Sequence, residues 1–416
     1  FKQKTAYEIR LSLVGSEMCI RDSTNAGIRL ANVVRTLVSG NDIDDADTGV
    51  TVANSDDVEI DFNQIVNVDT GIYADTVSQL LVTENTIDGR TGNGRGDYGI
   101  YVTGSDNAVI GGQGGTNINY VQDFDQGINV VASNGARIRW NDVSEFDTQG
   151  IVVSGSDDVR IRRNTVYNGT GEAILVSGGQ DAIVDRNDVD DVAGSGIFLS
   201  STTNSQVTRN TVTDATDNGI YGFNLSGGNI SQNTVDNAAG MTTYGVNIVG
   251  SNGVTIGDSS INGTNYTGNV VSGGTEAGIR VNGGSFNFVT ANNLTDATDA
   301  DDAADYGVEL LDTTFSFATG NTIAGRKTGV QVDGGDSNQV DQNILTGNGT
   351  AIRVIDATNT DVINHATIDG NGTGIEVTGT ATGTLIDNNI IDNSTAYGIR
   401  TSGSDCLLYT SPSPRD

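Results

Sequence analysis

The sequence predicts an all-β solenoid: a parallel β-helix of about 16 coils, each made of three short strands. Three observations predict it. A Gly-Ile, Gly-Val or Ala-Ile step recurs every 22 to 33 residues, an Asn follows most of these steps at a distance of 14 residues, and apolar residues alternate with period two between them.

The recurring step is anchored at Gly27, Gly49, Gly71, Gly99, Gly127, Gly150, Ala173, Gly196, Gly219, Gly245, Gly278, Gly307, Gly329, Ala351, Gly374 and Gly398, and four successive spacings between Gly127 and Gly219 are 23 residues each. Self-similarity of this kind means stacked units whose faces are buried by their neighbours. Within one coil, Ile151 and Val153 flank Val152, Val159 and Ile161 alternate with arginines, and Val166 follows Asn164. The inward positions are therefore anchor+1, anchor+3, Asn−5, Asn−3 and Asn+2. Alternation is the geometry of a strand, not of a helix, and the Ile, Val and Thr that dominate these runs suit a pleated surface. Rungs about 4.8 Å apart would make a stack of roughly 75 Å.

The asparagine column comprises Asn41, Asn63, Asn85, Asn141, Asn164, Asn187, Asn210, Asn233, Asn292, Asn321, Asn343 and Asn388, with Ser259 at the same offset once. Asn tolerates the left-handed backbone of a sharp corner, and its amide can hydrogen-bond along a stack, so the column reads as structural. His365, the only histidine, is expected just before the Asn slot of its coil, facing solvent.

The pattern [Val/Ile]-x-x-Asn-x-[Val/Ile], followed by Gly-Ile-x-Val, resembles the right-handed parallel β-helix superfamily of pectate-lyase-like fold. The resemblance spans about residues 24–404. It implies the fold and leaves the activity open, because one fold hosts many chemistries. The His- and Pro-containing signatures of the pectate-lyase and polygalacturonase families have no counterpart here.

The two ends read differently. Residues 1–23 and 406–416, with Leu13–Ser23 and Cys406–Asp416 at their core, resemble a translated sequencing adaptor, so the natural chain is expected to be a single β-helix domain over 24–405, truncated at both ends. Such segments are set aside in fold reasoning. Exposed strand edges at a truncation would favour aggregation in low salt. Cys19, Cys406, Pro412 and Pro414 all fall in these segments, which leaves the body without a disulfide framework or thiol chemistry.

The formal charge is −32, from 53 acidic against 21 basic residues, and Lys327 is the only lysine between 24 and 405. This balance resembles proteins of salt-loving organisms, in which screening at about 3 Å in molar salt suppresses self-repulsion. It argues against nucleic acid as a partner. No apolar run approaches the ~20 residues of a membrane helix, so no membrane insertion is expected in this fragment.

Long Asn-to-anchor arcs mark one edge: Asp88–Tyr98, Asp236–Tyr244, Asn262–Ala277 and Thr295–Tyr306, with a smaller insertion, Gly111–Thr116, on the other arc. Insertions on one face of a solenoid often form its binding face. The residue two after each anchor should point outward. In that column Tyr73 pairs with Tyr101 and Phe198 with Tyr221, while Tyr98, Tyr244 and Tyr306 precede anchor glycines. Exposed aromatic shelves grip the apolar faces of sugar rings, and these seven residues are the candidate ligand-binding set; a packing ladder is the bland alternative. Arg280, Glu309 and Asp305 are the candidate catalytic set of a polysaccharide lyase or glycoside hydrolase, although Arg353, Glu376 and Arg400 continue the same alternation of sign, as a salt-bridge ladder would. No cofactor is required; Asp299, Asp301, Asp302 and Asp305 form a candidate calcium site, set against plain solvated acidity. The expectation is thus a secreted or cell-surface β-helix that binds a polysaccharide or surface glycan along one loop-bearing face, with an enzyme and a structural stalk as the rivals.

Overall fold

The computed structural model describes residues 11–13, 19–89, 95–112, 114–236, 243–258, 268–295, 306–403 and 405–408. Among these residues every element is a strand, and the strand pairings are parallel, as between Asn119–Val131 and Asn141–Ser154, where Ile128 lies opposite Ile151 and Val130 opposite Val153. The fold is a parallel β-solenoid of about fifteen turns. It divides into two compact units, residues 1–171 and 172–416, built from the same coil.

In the second unit the three expected strands are distinct: Thr322–Ala324, Thr328–Asp333 and Gln339–Asp341 succeed one another round a coil. In several coils of the first unit they fuse, and Asp42–Asp61 runs as one strand through two corners. The corners permit this because each is turned by one left-handed residue. Positive φ recurs at anchor+5 (Asn54, 48°), Asn−6 (Asp57, 54°), Asn−1 (Phe62, 53°) and Asn+4 (Asn67, 55°). The same offsets hold in other coils, with Trp140 and Arg163 at Asn−1. A left-handed non-glycine costs about 1–2 kcal/mol, which the surrounding ladder sustains.

The five inward columns fill the tube: Ile151, Val153, Val159, Ile161 and Val166 are all buried. A sixth inward column, at Asn+5, lies beyond the reach of a period-two reading. Ala46, Val68, Phe124 and Phe146 occupy it in the first unit, Val192 and Ala215 in the second. The left-handed residue at Asn+4 shifts the side-chain parity by one, so the alternation breaks between Asn+2 and Asn+5. In one coil of the second unit this column holds Arg326, only 1 % exposed, whose guanidinium donates to Gly273 O at 2.9 Å.

Most anchor glycines leave no room for a side chain, Gly398 excepted. A Cβ at Gly127 would lie 2.3 Å from Val143 Cγ1 and 2.6 Å from Gly150 O. The apolar residue at Asn+2 packs across the coil onto the anchor, so the two most regular features of the sequence are two sides of one contact.

The asparagine column runs along each unit as a buried amide ladder. Asn63 Nδ2 donates to Asn85 Oδ1 (2.9 Å), Val38 O and Asp61 O, and Asn63 N donates to the same Oδ1 at 3.1 Å. Two expectations about it are corrected. The left-handed residue is the one before the Asn, so the Asn serves as a hydrogen-bond hub and not as the bend. And Asn388 is exposed, bonded to Asn364, while Asn389 takes the ladder position, because the last arc is one residue longer. Asn119 and Asn269 complete the ladders where insertions had displaced the spacing; Asn269 holds the place assigned to Ser259, which lies outside the described residues. A second ladder at anchor+6, unforeseen, links Val77 N to Ser105 Oγ and Ser105 N to Ser133 Oγ in the first unit.

His365 does not face solvent. It is fully buried and sits in the ladder itself, 14 residues after Ala351. Asn343 Nδ2 donates to Nε2 at 3.3 Å, and Nδ1 donates to Asn389 Oδ1 at 2.7 Å. A neutral imidazole has one donor and one acceptor, which is what an amide ladder asks of each member. Burial lowers its pKa to about 4.

Candidate carbohydrate-binding face

The column two residues after each anchor points away from the tube, as the alternation requires. In the first unit Tyr73 and Tyr101 are rung partners with ring centroids 5.5 Å apart, and Tyr98 stacks on Tyr101 at 4.9 Å with a 20° interplanar angle. All three are half-buried, leaving the rings partly open to solvent. Burial, then the nearby Asp75 and Tyr101, raises the pKa of Tyr73, so its hydroxyl stays protonated.

The next rung beyond Tyr101 carries Asn129. Its Nδ2 donates to Gln126 Oε1, and Gln126 Nε2 donates to Gln149 Oε1 at 2.8 Å. Asn129 Oδ1 is buried yet accepts no hydrogen bond among the described residues. An unpaired buried acceptor costs about 1–3 kcal/mol. The face thus joins a tyrosine shelf to a row of amides with one acceptor open.

The second unit repeats the arrangement. Phe198 and Tyr221 are rung partners stacked at 4.7 Å, and the rung after Tyr221 carries Asn247. Asn247 Nδ2 donates to Asn218 Oδ1 at 3.2 Å, and Asn218 Nδ2 donates to Ser195 Oγ at 3.1 Å. Asn247 Oδ1, again buried, has no partner among the described residues. Sequence reading found the aromatics and passed over both asparagines, because an isolated Asn in an outward column carries no periodic signal.

Beyond Asn247 the column becomes ionic. Arg280 and Glu309 are rung partners, with Nε 3.1 Å from Oε2, an ion pair not aligned as a hydrogen bond. Arg280 Nη1 donates to the Tyr244 hydroxyl at 2.6 Å, and its guanidinium lies 4.9 Å from that ring. The Tyr244 hydroxyl in turn donates to Glu276, and burial followed by that hydrogen bond pushes its pKa up to about 12. Tyr244 is therefore tied into an ion cluster and offers no free ring-and-hydroxyl shelf. Arg353 and Arg400 flank Glu376 at 3.2 and 3.4 Å. Tyr306 is half-buried and pairs with Ala277 and Thr328.

Asp299, Asp301, Asp302 and Asp305 lie outside the described residues, so the described part of the candidate catalytic set is Arg280 with Glu309. Among the described residues no group of three or more His, Cys, Asp or Glu side chains converges as a metal site, and no helix is long and apolar enough to cross a membrane.

The model of the right handed beta helix region matches residues 15–113, 126–295 and 238–391. The chain belongs to this right-handed β-helix family. A comparison with curated proteins gives no significant match. Similar solved structures include the periplasmic alginate epimerase AlgG, at 12 % identity and a TM-score of 0.45, covering 74 % of this chain and 76 % of that one. They also include DFA-IIIase from Arthrobacter chlorophenolicus A6 without its lid, at 17 % identity and a TM-score of 0.41, covering 74 % of this chain and 84 % of that one. A complex of a variant of that enzyme with DFA-III is similar at 17 % identity and a TM-score of 0.41, covering 70 % and 82 %.

Proposed function

We propose that this β-helix protein binds carbohydrate, as a secreted or cell-surface protein, along the outward column that starts at each aromatic pair. One observation carries the reading: in each unit an aromatic pair on adjacent rungs, tilted in the first and stacked in the second, is followed on the next rung by an asparagine whose buried Oδ1 accepts no hydrogen bond among the described residues. A sugar ring covers an aromatic face with its C–H side and presents hydroxyls at its rim. A small turn of the Asn129 or Asn247 amide would bring this unpaired acceptor to a sugar hydroxyl, which would satisfy it.

The rival reading, a polysaccharide lyase or hydrolase acting at Arg280, Glu309 and Asp305, draws less support. The Arg280 guanidinium is held by Glu309 and Tyr244, and the alternation through Glu376 and Arg400 is that of an ion ladder. The test is a panel of neutral oligosaccharides titrated against the protein and against Tyr73→Ala/Tyr101→Ala and Phe198→Ala/Tyr221→Ala. Each aromatic contact is worth about 0.5–1.5 kcal/mol, so each double variant should lose roughly tenfold or more in affinity. Unaltered binding in both double variants would sink the proposal; turnover of a polysaccharide that Arg280→Ala abolishes would favour the enzyme.

A further inference from the structure

A second feature of the first unit lies away from the tyrosine column. Strands Arg137–Arg139 and Arg160–Arg162 are rung partners, with Arg137 opposite Arg160, Ile138 opposite Ile161 and Arg139 opposite Arg162. The isoleucines point into the tube, so the four arginines share the outer face. Like charges directly opposite one another on adjacent strands destabilise a sheet, and here there are two such pairs, the backbones of each pair about 4.8 Å apart. At the following corner Arg163 lies over the indole of Trp140 at 5.1 Å. Gly114 and Gly115 close the other side: a Cβ on Gly115 would lie 3.2 Å from Trp140 Cζ3, so this backbone rests on the indole.

These groups enclose a cleft of about 320 Å³ lined by Gly114, Arg137, Arg139, Trp140, Arg160, Arg162 and Arg163. Among the described residues none of Arg137, Arg139, Arg160 and Arg163 is ion-paired with a carboxylate, and Arg139 Nε is buried with no hydrogen-bond partner. Burial, then Arg137 and Arg162, lowers the pKa of Arg139. In a chain of net charge −32, five of the 21 basic residues meet here. A local rule broken at a cost inside a consistent fold marks function.

We propose that this cleft binds an acidic sugar, one whose ring bears a carboxylate or a sulfate. Guanidinium forks match such groups in bidentate geometry. The volume is about ten times a water's share of roughly 30 Å³, more than a lone inorganic anion needs. The lining is mainly polar, which suits a ligand rich in hydroxyls. The site is independent of the neutral-sugar reading of the tyrosine column, since it uses other strands and another face.

Trp140 is the only tryptophan, so its fluorescence reports the cleft directly. The probes are an oligogalacturonate, a sulfated disaccharide, a neutral oligosaccharide, inorganic phosphate and a short single-stranded DNA, each titrated against the full chain by fluorescence and calorimetry. The proposal expects one or both acidic sugars to shift Trp140 emission and bind. Which of the two binds more tightly assigns carboxylate or sulfate. Arg139→Gln/Arg160→Gln should weaken this by roughly tenfold or more, Tyr73→Ala/Tyr101→Ala should leave it unchanged, and raising salt from about 0.1 to 1 M should weaken it by screening. Circular dichroism of Arg139→Gln/Arg160→Gln checks that its fold is retained, and the single variant Arg160→Gln, at an exposed position, repeats the test if it is not. No binding of either acidic sugar, equal binding of the neutral sugar, equal or tighter binding of phosphate or DNA, or affinity indifferent to the arginine variants would overturn it.

Discussion

Replacing His365 by Asn should remove most of one well-defined acid sensitivity from this protein. His365 occupies an amide ladder in which its neutral ring accepts from Asn343 and donates to Asn389. A second proton on Nε2 would set a donor against the Asn343 donor and bury a charge. Burial already lowers the folded pKa to about 4, against an ordinary value of 6.5. The unfolded chain therefore binds the proton first, and stability falls as pH drops through the window from 6.5 to 4. The loss saturates below the folded pKa. At 1.36 kcal/mol per pH unit, the whole window corresponds to about 3 kcal/mol. Carboxylates titrate in the same range, so the informative quantity is a difference: the pH slope of unfolding stability in the parent minus that in His365→Asn, measured by denaturant melts between pH 4 and 7. Asn restores the ladder partner used on the other rungs, so the variant should match the parent near pH 7 and exceed it near pH 4.5. His365 is also the only histidine, so its ring resonance can be followed by NMR without assignment. A titration midpoint near 6.5 in the folded protein, or identical pH slopes in the two proteins, would refute the reasoning.

Two further perturbations probe the coil. Asn233→Ala deletes the donors to Val207 O and Asn269 Oδ1 and the acceptor of Asn210 N and Nδ2; with about 1–3 kcal/mol per buried group left unpaired, the loss in chemical denaturation should be about 3–5 kcal/mol. Phe62→Asn replaces an exposed aromatic at φ 53° by a residue that tolerates left-handed backbone, and should raise stability by about 1 kcal/mol, read as an upward shift of the melting temperature.

What the sequence made legible was whatever repeats with the chain's own period. Ile151, Val153, Val159, Ile161 and Val166 could be placed in the core because strand alternation holds between corners. Phe124 and Phe146 could not, because one left-handed residue before each resets the parity. Asn119 and Asn269 escaped a fixed spacing of 14 but keep the local pattern, with an apolar residue two positions on. His365 did satisfy the spacing; it was misplaced because a titratable residue was expected in water, and only the ladder geometry shows why a neutral ring belongs there. Of the outward face, the aromatic pairs were legible by column, and their geometry matches rung neighbours. The open acceptors of Asn129 and Asn247 were not, since whether an amide is satisfied depends on three-dimensional partners. The arginine cleft was visible only as arginines alternating with Val159 and Ile161; that two rungs and a small insertion enclose them needed the fold.

The charge of the whole chain and the charge of the cleft bear on one another. A chain with 53 acidic residues repels any long polyanion, and at moderate salt that repulsion acts over roughly 10 Å. The arginine pairs span two rungs, about 4.8 Å along the stack, so their attraction is confined to a ligand that presents its charge within one or two sugar units. A nucleic acid would bring a phosphate every few ångströms onto a chain with 53 acidic residues and meet net repulsion. Net acidity and local basicity together therefore select by length as well as by charge: a short acidic sugar, or the end of an acidic chain, enters where an extended polyanion cannot lie down. Shortening an oligouronate from a long chain to a di- or trisaccharide should thus cost little affinity at low salt, which is the reverse of what a continuous basic groove would show.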